Sequence, residues 1–164
     1  MVWKAGQGDA YTLLASLLEE ETGIAPLPSI SRREGGKPWF PDHPHLHFSL
    51  SRSGGLSLCA LGEAPLGADI ERVRERSGGL PRHVFSDGEY AWFQSRGSRW
   101  EDFYTLWTLK EARVKCTGEG IFKVPAREVS VPVLEPGEEG DWEGFIFTAL
   151  RGEGWRGAVC LKIL

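Results

Sequence analysis

The chain has 164 residues, of which 41% are hydrophobic, and it includes 21 glycines and 10 prolines. This length and composition argue against disorder and predict one loop-rich globular domain that can bury a core without a metal or disulfide scaffold. The formal net charge of -4 excludes the strongly basic footprint that is typical of nucleic-acid-binding proteins.

The first predicted element is an amphipathic helix over residues 9–22. Its apolar stripe consists of leucines at helical spacing, namely Leu13, Leu14, Leu17 and Leu18. Asp9 is a suitable N-cap residue for this helix, and Gly23 is a suitable stop. We therefore expect the helix to pack its leucine stripe against the core.

A stretch rich in proline and glycine follows the helix and runs to Pro44. Three short strands are predicted after it, within residues 46–50, 56–61 and 66–71, and turns that contain glycine separate them. The first half of the chain is thus predicted to be one helix laid on a small sheet.

The second half is predicted to open with a short helix, because Ser86 and Glu89 have the spacing of a capping box. A longer helix should cover residues 101–116, where aromatic residues recur on one face and Gly118 offers a stop. Three strands are predicted to follow, near residues 128–133, 144–150 and 156–163, the last two forming a hairpin.

Two acidic residues stand at alternate positions of the third predicted strand. Asp69 and Glu71 should point to one side of it, whereas Ala68 and Ile70 should point to the other. Mg²⁺ is commonly held by one or two carboxylates together with substrate phosphates, so this pair is a candidate metal site. The same pair also fits the solvated face of an edge strand, where acidic residues are common.

The long helix supplies a second polar set. Trp107, Glu111 and Lys115 recur at intervals of four and share one side of the helix, with Lys110 adjacent. A carboxylate one turn from an amine can supply a metal ligand, or a base beside a cation for phosphate. The same spacing is also typical of an ordinary surface ion pair, which contributes only about 0.3–0.5 kcal/mol.

Five segments follow one another in a specific order, at residues 36–38 (GKP), 48–54 (FSLSRSG), 67–71 (GADIE), 85–89 (FSDGE) and 107–115 (WTLKEARVK). This order resembles the 4'-phosphopantetheinyl transferases of the surfactin-synthetase-activating, or Sfp-like, type. That family carries G-K-P, F-N-x-S-H-S-G-like, G-x-D-x-E, F-S-x-x-E and W-x-x-K-E-x-x-x-K segments. Five ordered matches are far more specific than any one motif.

The resemblance implies an enzyme that transfers the 4'-phosphopantetheine arm of coenzyme A to a serine hydroxyl of an apo carrier protein. It implies Mg²⁺ as the cofactor, coenzyme A as a co-substrate, and release of adenosine 3',5'-bisphosphate. By matching position, the implied metal ligands are Asp69, Glu71 and Glu111. Glu111 is also the implied catalytic base, and Lys115 the implied contact of the diphosphate. The implied coenzyme A-binding residues are Lys37, Ser51, Arg52, Ser53, Gly54 and Lys115.

The implied fold is α+β, a pseudo-dimer of two small α/β halves that form one unit over residues 1–75 and 76–164. Only about 35 residues precede the G-K-P segment, so we expect an N-terminally shortened version of this fold. The segments that precede the G-x-D strand favour a pseudo-dimer over a trimer-forming subunit. We expect a monomer, with a dimer as the alternative.

Arg52 departs from the family pattern, because it replaces the histidine that usually follows the serine of the S-H-S segment. A guanidinium stays charged and can bind a phosphate bidentately, but it cannot titrate as an imidazole does. Together with the short N-terminal section, this departure leaves open a relative that binds coenzyme A or a carrier protein without efficient transfer. An unrelated metal-dependent phosphoesterase is a separate alternative.

The cysteines and the apolar segments of the sequence indicate the cellular location of the protein. Cys59, Cys116 and Cys160 are odd in number and far apart, which favours free thiols in a reducing cytoplasm. The sequence contains neither a secretion signal nor the roughly 18 consecutive apolar residues of a membrane span. We therefore expect a cytoplasmic protein whose partners are a carrier protein and coenzyme A, with no nucleic acid and no membrane.

Overall fold

A computed structural model describes residues 1–33, 36–118 and 123–163. The N-terminal part forms β1 (Val2–Gln7), α1 (Ala10–Thr22), β2 (Ser31–Arg32), β3 (Pro38–Trp39), β4 (His47–Ser53), β5 (Leu56–Gly62) and β6 (Leu66–Arg72). The C-terminal part forms α2 (Leu80–Val84), α3 (Asp87–Ser95), α4 (Trp100–Thr117), a 3₁₀ turn (Ala126–Glu128), β7 (Glu139–Trp142), β8 (Phe145–Gly152) and β9 (Trp155–Lys162). The chain is therefore a mixed α and β protein, as predicted.

The strands form two main antiparallel sheets and one small ribbon. The first sheet has the order β1-β5-β4, the second has the order β6-β9-β8-β7, and β2 pairs with β3 in the ribbon. The two sheets share an arrangement, because in each the strand before the main helix pairs with the last strand of a hairpin. These pairs are β1 with β5 and β6 with β9. Strand β6 thus belongs to the second sheet, although it precedes residue 75.

Three apolar clusters fill the spaces between these layers. One lies between α1 and the first sheet and includes Leu14, Leu18 and Phe48. A second lies under α4 on the second sheet. The third joins the two sheets and contains both Ala68 and Ile70 of β6. The apolar side of β6 therefore faces the first sheet, which leaves its other side to face α4.

The predicted helices are confirmed together with their caps. The Asp9 side chain accepts a hydrogen bond from the N–H of Thr12 at 2.9 Å, and Gly23 ends α1 in the left-handed conformation. Ser86 and Glu89 form the expected reciprocal capping box at the start of α3. Helix α4 ends at Gly118, also in the left-handed conformation. These local signals fixed the helix boundaries to within one or two residues.

The predicted strand at residues 128–133 is wrong. The segment is a 3₁₀ turn followed by a stretch without strand pairing in the described residues. Its carbonyl groups are bound by side chains of α4, because Lys110 donates to the carbonyl oxygen of Val129 and Arg113 donates to that of Ser130. Side-chain donors thus satisfy this backbone where a strand ladder would otherwise be needed. The hairpin of β8 and β9 is confirmed.

Helix α4 crosses β6 at very close range, and Gly67 is the reason it can. A Cβ atom built on Gly67 would lie 2.0 Å from the carbonyl oxygen of Ala112 and 2.5 Å from the backbone nitrogen of Cys116. Both neighbours are backbone atoms of α4, so they cannot rotate out of the way. The glycine of the G-x-D-x-E segment is therefore a packing residue that lets the helix approach the acidic strand.

We expect Gly67→Ala to destabilise the protein by about 1–3 kcal/mol or more, because α4 must move away from β6. Gly88→Ala is a matched control, since no atom lies within 4 Å of a Cβ at Gly88 inside α3. That substitution should be neutral or stabilise the protein by up to about 1 kcal/mol. Urea denaturation of both variants measures the difference, and equal stabilities would contradict the packing argument.

Among the described residues, no helix combines the length and the apolar character needed to cross a lipid bilayer.

Candidate active site

A cleft with a volume of about 760 Å³ opens between the start of α1, the β2–β3 ribbon, β4, β6 and the second half of α4. Seven of the residues that the sequence analysis selected line it: Lys37, Ser51, Arg52, Asp69, Glu71, Glu111 and Lys115. These side chains come from separate stretches of the chain. The cleft is therefore the place where the ordered sequence motifs meet.

Serine side chains of β4 hold β6 at the floor of the cleft. Alternate N–H groups of β6 donate to their hydroxyls, from Ala68 to Ser49 at 3.0 Å, from Ile70 to Ser51 at 3.2 Å and from Arg72 to Ser53 at 3.0 Å. The serine hydroxyls thus accept the hydrogen bonds that the backbone carbonyl groups of a neighbouring strand would usually accept from this edge of β6. The alternating serines of the FSLSRSG segment join the two sheets.

Asp69 is buried below the cleft, with only 4% of its surface exposed. Its Oδ1 accepts hydrogen bonds from Lys115 Nζ at 2.7 Å and from Ser51 Oγ at 2.9 Å. Its Oδ2 is buried and has no hydrogen-bond partner among the described residues. Burial raises the pKa of Asp69, and the Lys115 ammonium opposes that rise. The interpretation of this strand as a solvated edge is therefore wrong at Asp69.

The negative charge of Asp69 influences the ionisation of both Glu71 and Glu111, and the charge of Glu71 also influences that of Glu111. The pKa of Glu71 is raised by burial and then by the negative charge of Asp69. The pKa of Glu111 is raised to about 7, mainly by burial and then by Asp69, while Lys115 opposes the rise and Glu71 adds to it. Three carboxylates thus compete for ionisation in one buried region, which is a state that a bound cation relieves.

The chemistry of these side chains fits a hard divalent cation. All three candidates offer carboxylate oxygens, and the unpartnered Oδ2 of Asp69 leaves a strong acceptor unused. Within the described part of the chain, no three His, Cys, Asp or Glu side chains form a ready-made metal cluster. The cation that faces Asp69 in the structure is the ammonium group of Lys115. Metal binding by Asp69, Glu71 and Glu111 remains a prediction.

Two predicted coenzyme A-binding residues bind protein atoms in the structure. Lys37 Nζ donates to the carbonyl oxygens of Leu66 and Cys116, both at 3.1 Å, and burial lowers its pKa. Ser51 Oγ donates to Asp69. Both residues still line the cleft. Their contact with coenzyme A remains a prediction. The observed bonds of Lys37 join the start of β6 to the end of α4, and that of Ser51 joins β4 to β6.

Two other predicted residues, Ser53 and Gly54, lie outside the lining of the cleft. Ser53 Oγ donates to Glu71 Oε2 at 3.0 Å. Gly54 and Gly55 have φ angles of 53° and 82° and form the tight turn between β4 and β5. The carbonyl oxygen of Gly54 accepts a hydrogen bond from the Arg72 guanidinium at 3.3 Å. The glycines thus serve the hairpin turn in this structure.

The cleft also contains residues that the sequence analysis missed. Tyr11 lines it from the first turn of α1, and Arg32 lines it from β2. The guanidinium of Arg52 lies over the Tyr11 ring, 5.5 Å from its centroid. Tyr11 stands beside the leucine stripe in the sequence, where an aromatic residue is ordinarily taken for core packing. Conversely, Lys110 is buried away from the cleft, with Glu89 as its partner.

The region that contains these cleft residues is similar to a known protein family. A sequence model of the 4'-phosphopantetheinyl transferase superfamily matches residues 65–155, more than half of the chain. The chain belongs to this superfamily. The part of the chain that matches the family begins just before β6 and includes α4. It therefore contains Asp69, Glu71, Glu111 and Lys115.

Individual members of the superfamily are similar over a longer stretch. A 4'-phosphopantetheinyl transferase of Bacillus subtilis is 32% identical over 80% of this chain and 62% of its own length. The transferase HetI of Nostoc is 34% identical over 80% of this chain and 58% of its own length. The transferase Sfp of Bacillus subtilis strain 168 is 34% identical over 66% of this chain and 49% of its own length. The chain thus spans about half to three fifths of these relatives.

Proposed function

We propose that the protein transfers the 4'-phosphopantetheine arm of coenzyme A to a serine of an apo carrier protein and releases adenosine 3',5'-bisphosphate. The observation that carries this proposal is the acidic set of buried Asp69, partly buried Glu71 and buried Glu111 beside Lys115. It lies in a cleft large enough for a nucleotide and inside the region matched by the family. Membership of the superfamily supports coenzyme A and a carrier protein as the two substrates.

In this proposal Glu111 has two tasks, as base and as metal ligand, and the other charged residues have one each. Glu111, with a pKa raised to about 7, takes up the proton of the serine hydroxyl directly or through a water molecule. Lys115 and Arg52 bind the diphosphate of coenzyme A and orient it for displacement. Asp69, Glu71 and Glu111 are the ligands for Mg²⁺, whose charge, when bound, neutralises the diphosphate in the displacement.

We further propose that the fold is a pseudo-dimer, with halves at residues 1–75 and 76–164. The shared order of helix, hairpin and strand pairing in the two sheets supports a pseudo-dimer, although β6 of the first half pairs with β9 in the second sheet. Because each half supplies one wall of the cleft, a monomer has a complete site. The cytoplasm is the proposed location, since Cys59, Cys116 and Cys160 are free and buried.

The second candidate is a relative that binds coenzyme A or a carrier protein but transfers slowly. Two observations favour it. Arg52 replaces the family histidine, and Lys115 is paired with Asp69 at 2.7 Å, so the ammonium must leave Asp69 or be shared when a diphosphate binds. Rescue of turnover by Arg52→His would favour this candidate.

The transfer assay separates the candidates. The protein is incubated with coenzyme A, Mg²⁺ and a panel of apo carrier proteins, and the intact mass of each carrier is measured. We expect a gain of one phosphopantetheine group that disappears when the carrier serine is replaced by alanine or when a chelator is added. Binding of coenzyme A without any mass gain favours the slow relative. Hydrolysis of coenzyme A without a carrier favours a phosphoesterase instead.

A further inference from the structure

Among the described residues, the cleft contains one cation–π contact, between Arg52 of β4 and Tyr11 of α1. The two residues come from different elements and are far apart in sequence. The guanidinium carbon of Arg52 lies 5.5 Å from the centroid of the Tyr11 ring. This distance is within the range at which the face of an aromatic ring attracts a cation.

The ring of Tyr11 is well placed to act as a fixed support. Tyr11 lies in the first turn of α1, next to the N-cap at which the Asp9 side chain accepts a hydrogen bond from the N–H of Thr12. It also packs partly against the cluster under α1, which includes the buried side chains of Leu14 and Leu18. A ring on the first turn of an anchored helix has little freedom to move away from the cleft.

Arg52, in contrast, depends on that ring for its position. Its side chain is exposed, and within the described residues it forms neither a salt bridge nor a side-chain hydrogen bond. A long arginine side chain that is held by nothing else samples many rotamers, and ordering it weakens any contact that it then makes. Because no described residue accepts a hydrogen bond from the Arg52 guanidinium, its N–H groups are open to a ligand.

We infer that Tyr11 is a positioning residue, which holds the Arg52 guanidinium at the wall of the cleft in the orientation that binds a phosphate group of the nucleotide substrate. The planar edge of a guanidinium matches two phosphate oxygens, so its orientation sets its affinity. This inference rests on the proposed function, because it takes coenzyme A as the nucleotide. It concerns substrate binding and leaves the chemical step to other residues.

The test measures coenzyme A binding by calorimetry and the steady-state constants of transfer for Tyr11→Leu and Tyr11→Phe. Tyr11→Leu should weaken coenzyme A binding and raise its KM by about two- to fivefold, the size of an exposed cation–π contact, with kcat unchanged. Tyr11→Phe keeps the ring and should behave as the wild type does. In an Arg52→Met background, Tyr11→Leu should have no further effect.

Tyr90→Leu is the matched control. The Arg82 guanidinium lies 4.7 Å from the centroid of the Tyr90 ring, so this pair has the same chemistry outside the cleft. Loss of the contact between Arg82 and Tyr90 in this variant should leave coenzyme A binding unchanged. Unchanged binding in Tyr11→Leu, or an equal loss in Tyr11→Phe, overturns the inference. A Tyr11→Leu effect that persists in the Arg52→Met background also overturns it, because Tyr11 would then contact the ligand itself. A wild-type protein that binds no coenzyme A overturns the proposed function as well.

Discussion

Replacing Glu111 with glutamine is expected to lower the rate of phosphopantetheine transfer by about 10²- to 10⁴-fold, the usual contribution of a general base. The substitution keeps the size and hydrogen-bonding shape of the side chain but removes its proton affinity and its charge. It also removes one of the three proposed metal ligands. In the transfer assay kcat should fall, and addition of Mg²⁺ should raise the melting temperature of the wild type but not that of Glu111→Gln.

The same substitution should change how stability depends on pH in metal-free buffer. The pKa of Glu111 is raised from 4.5 to about 7 in the folded protein, mainly by burial. Folding therefore favours the protonated form, and the stability that this form contributes is present below pH 4.5 and lost as the pH rises through about 7. Glu111→Gln removes this loss, so its stability should depend less on pH, and at pH 8 it should exceed that of the wild type.

Urea denaturation at pH 5, 6, 7 and 8 measures the effect. Glu101→Gln is a matched control, because Glu101 lies in the first turn of the same helix and is exposed. That variant should keep both the transfer rate and the pH dependence of the wild type. A Glu111→Gln protein that transfers at the wild-type rate excludes Glu111 as the base. A variant less stable than the wild type at pH 8 contradicts the burial argument.

The acidic site illustrates what the sequence can and cannot predict. The alternation at Asp69 and Glu71, and the spacing of Glu111 and Lys115, selected the side chains that the structure brings to one cleft. Their partners did not follow from spacing, because hydrogen bonds between β4 and β6 depend on how the two sheets meet. The resemblance implies Ser51 as a coenzyme A contact, which stays a prediction, and the structure adds its bonds to the N–H of Ile70 and to Asp69.

The helices and strands also differ in how well the sequence predicts them. Helices α1 and α4 were predicted because their caps and apolar faces are local signals. Strand β1 was missed because its sequence, VWKAGQ, lacks the alternation of a half-buried strand, and it is held by pairing with β5. Strand β7, with the sequence EGDW, gives no hydrophobic signal and is formed by pairing with β8. Long-range pairing overrides weak local preference in both strands.

Lys110→Met is expected to destabilise the protein by about 3–5 kcal/mol, because it removes one partner of a buried ion pair. Lys110 is only 1% exposed. Its Nζ lies 2.8 Å from Glu89 Oε2 and donates to the carbonyl oxygens of Ala126 at 3.0 Å and Val129 at 2.7 Å. One ammonium group thus joins α4 to the start of α3 and to the segment after the 3₁₀ turn. Without it, the buried Glu89 carboxylate loses its counter-charge and two carbonyl groups lose a donor.

A second substitution tests whether the cost comes from the carboxylate that is left behind. The double variant Glu89→Gln and Lys110→Met removes both charges and should recover part of the lost stability, since an uncompensated buried charge is the larger penalty. Lys162→Met, at an exposed lysine, should change stability by no more than about 0.5 kcal/mol. Urea denaturation at neutral pH compares the variants. A double variant less stable than Lys110→Met would show that the capping contact of the Glu89 carboxylate outweighs the penalty of its uncompensated charge. Lys110 stands next to Glu111 on α4, so the same anchor that stabilises the fold also fixes the rotation of the helix that presents Glu111 to the cleft.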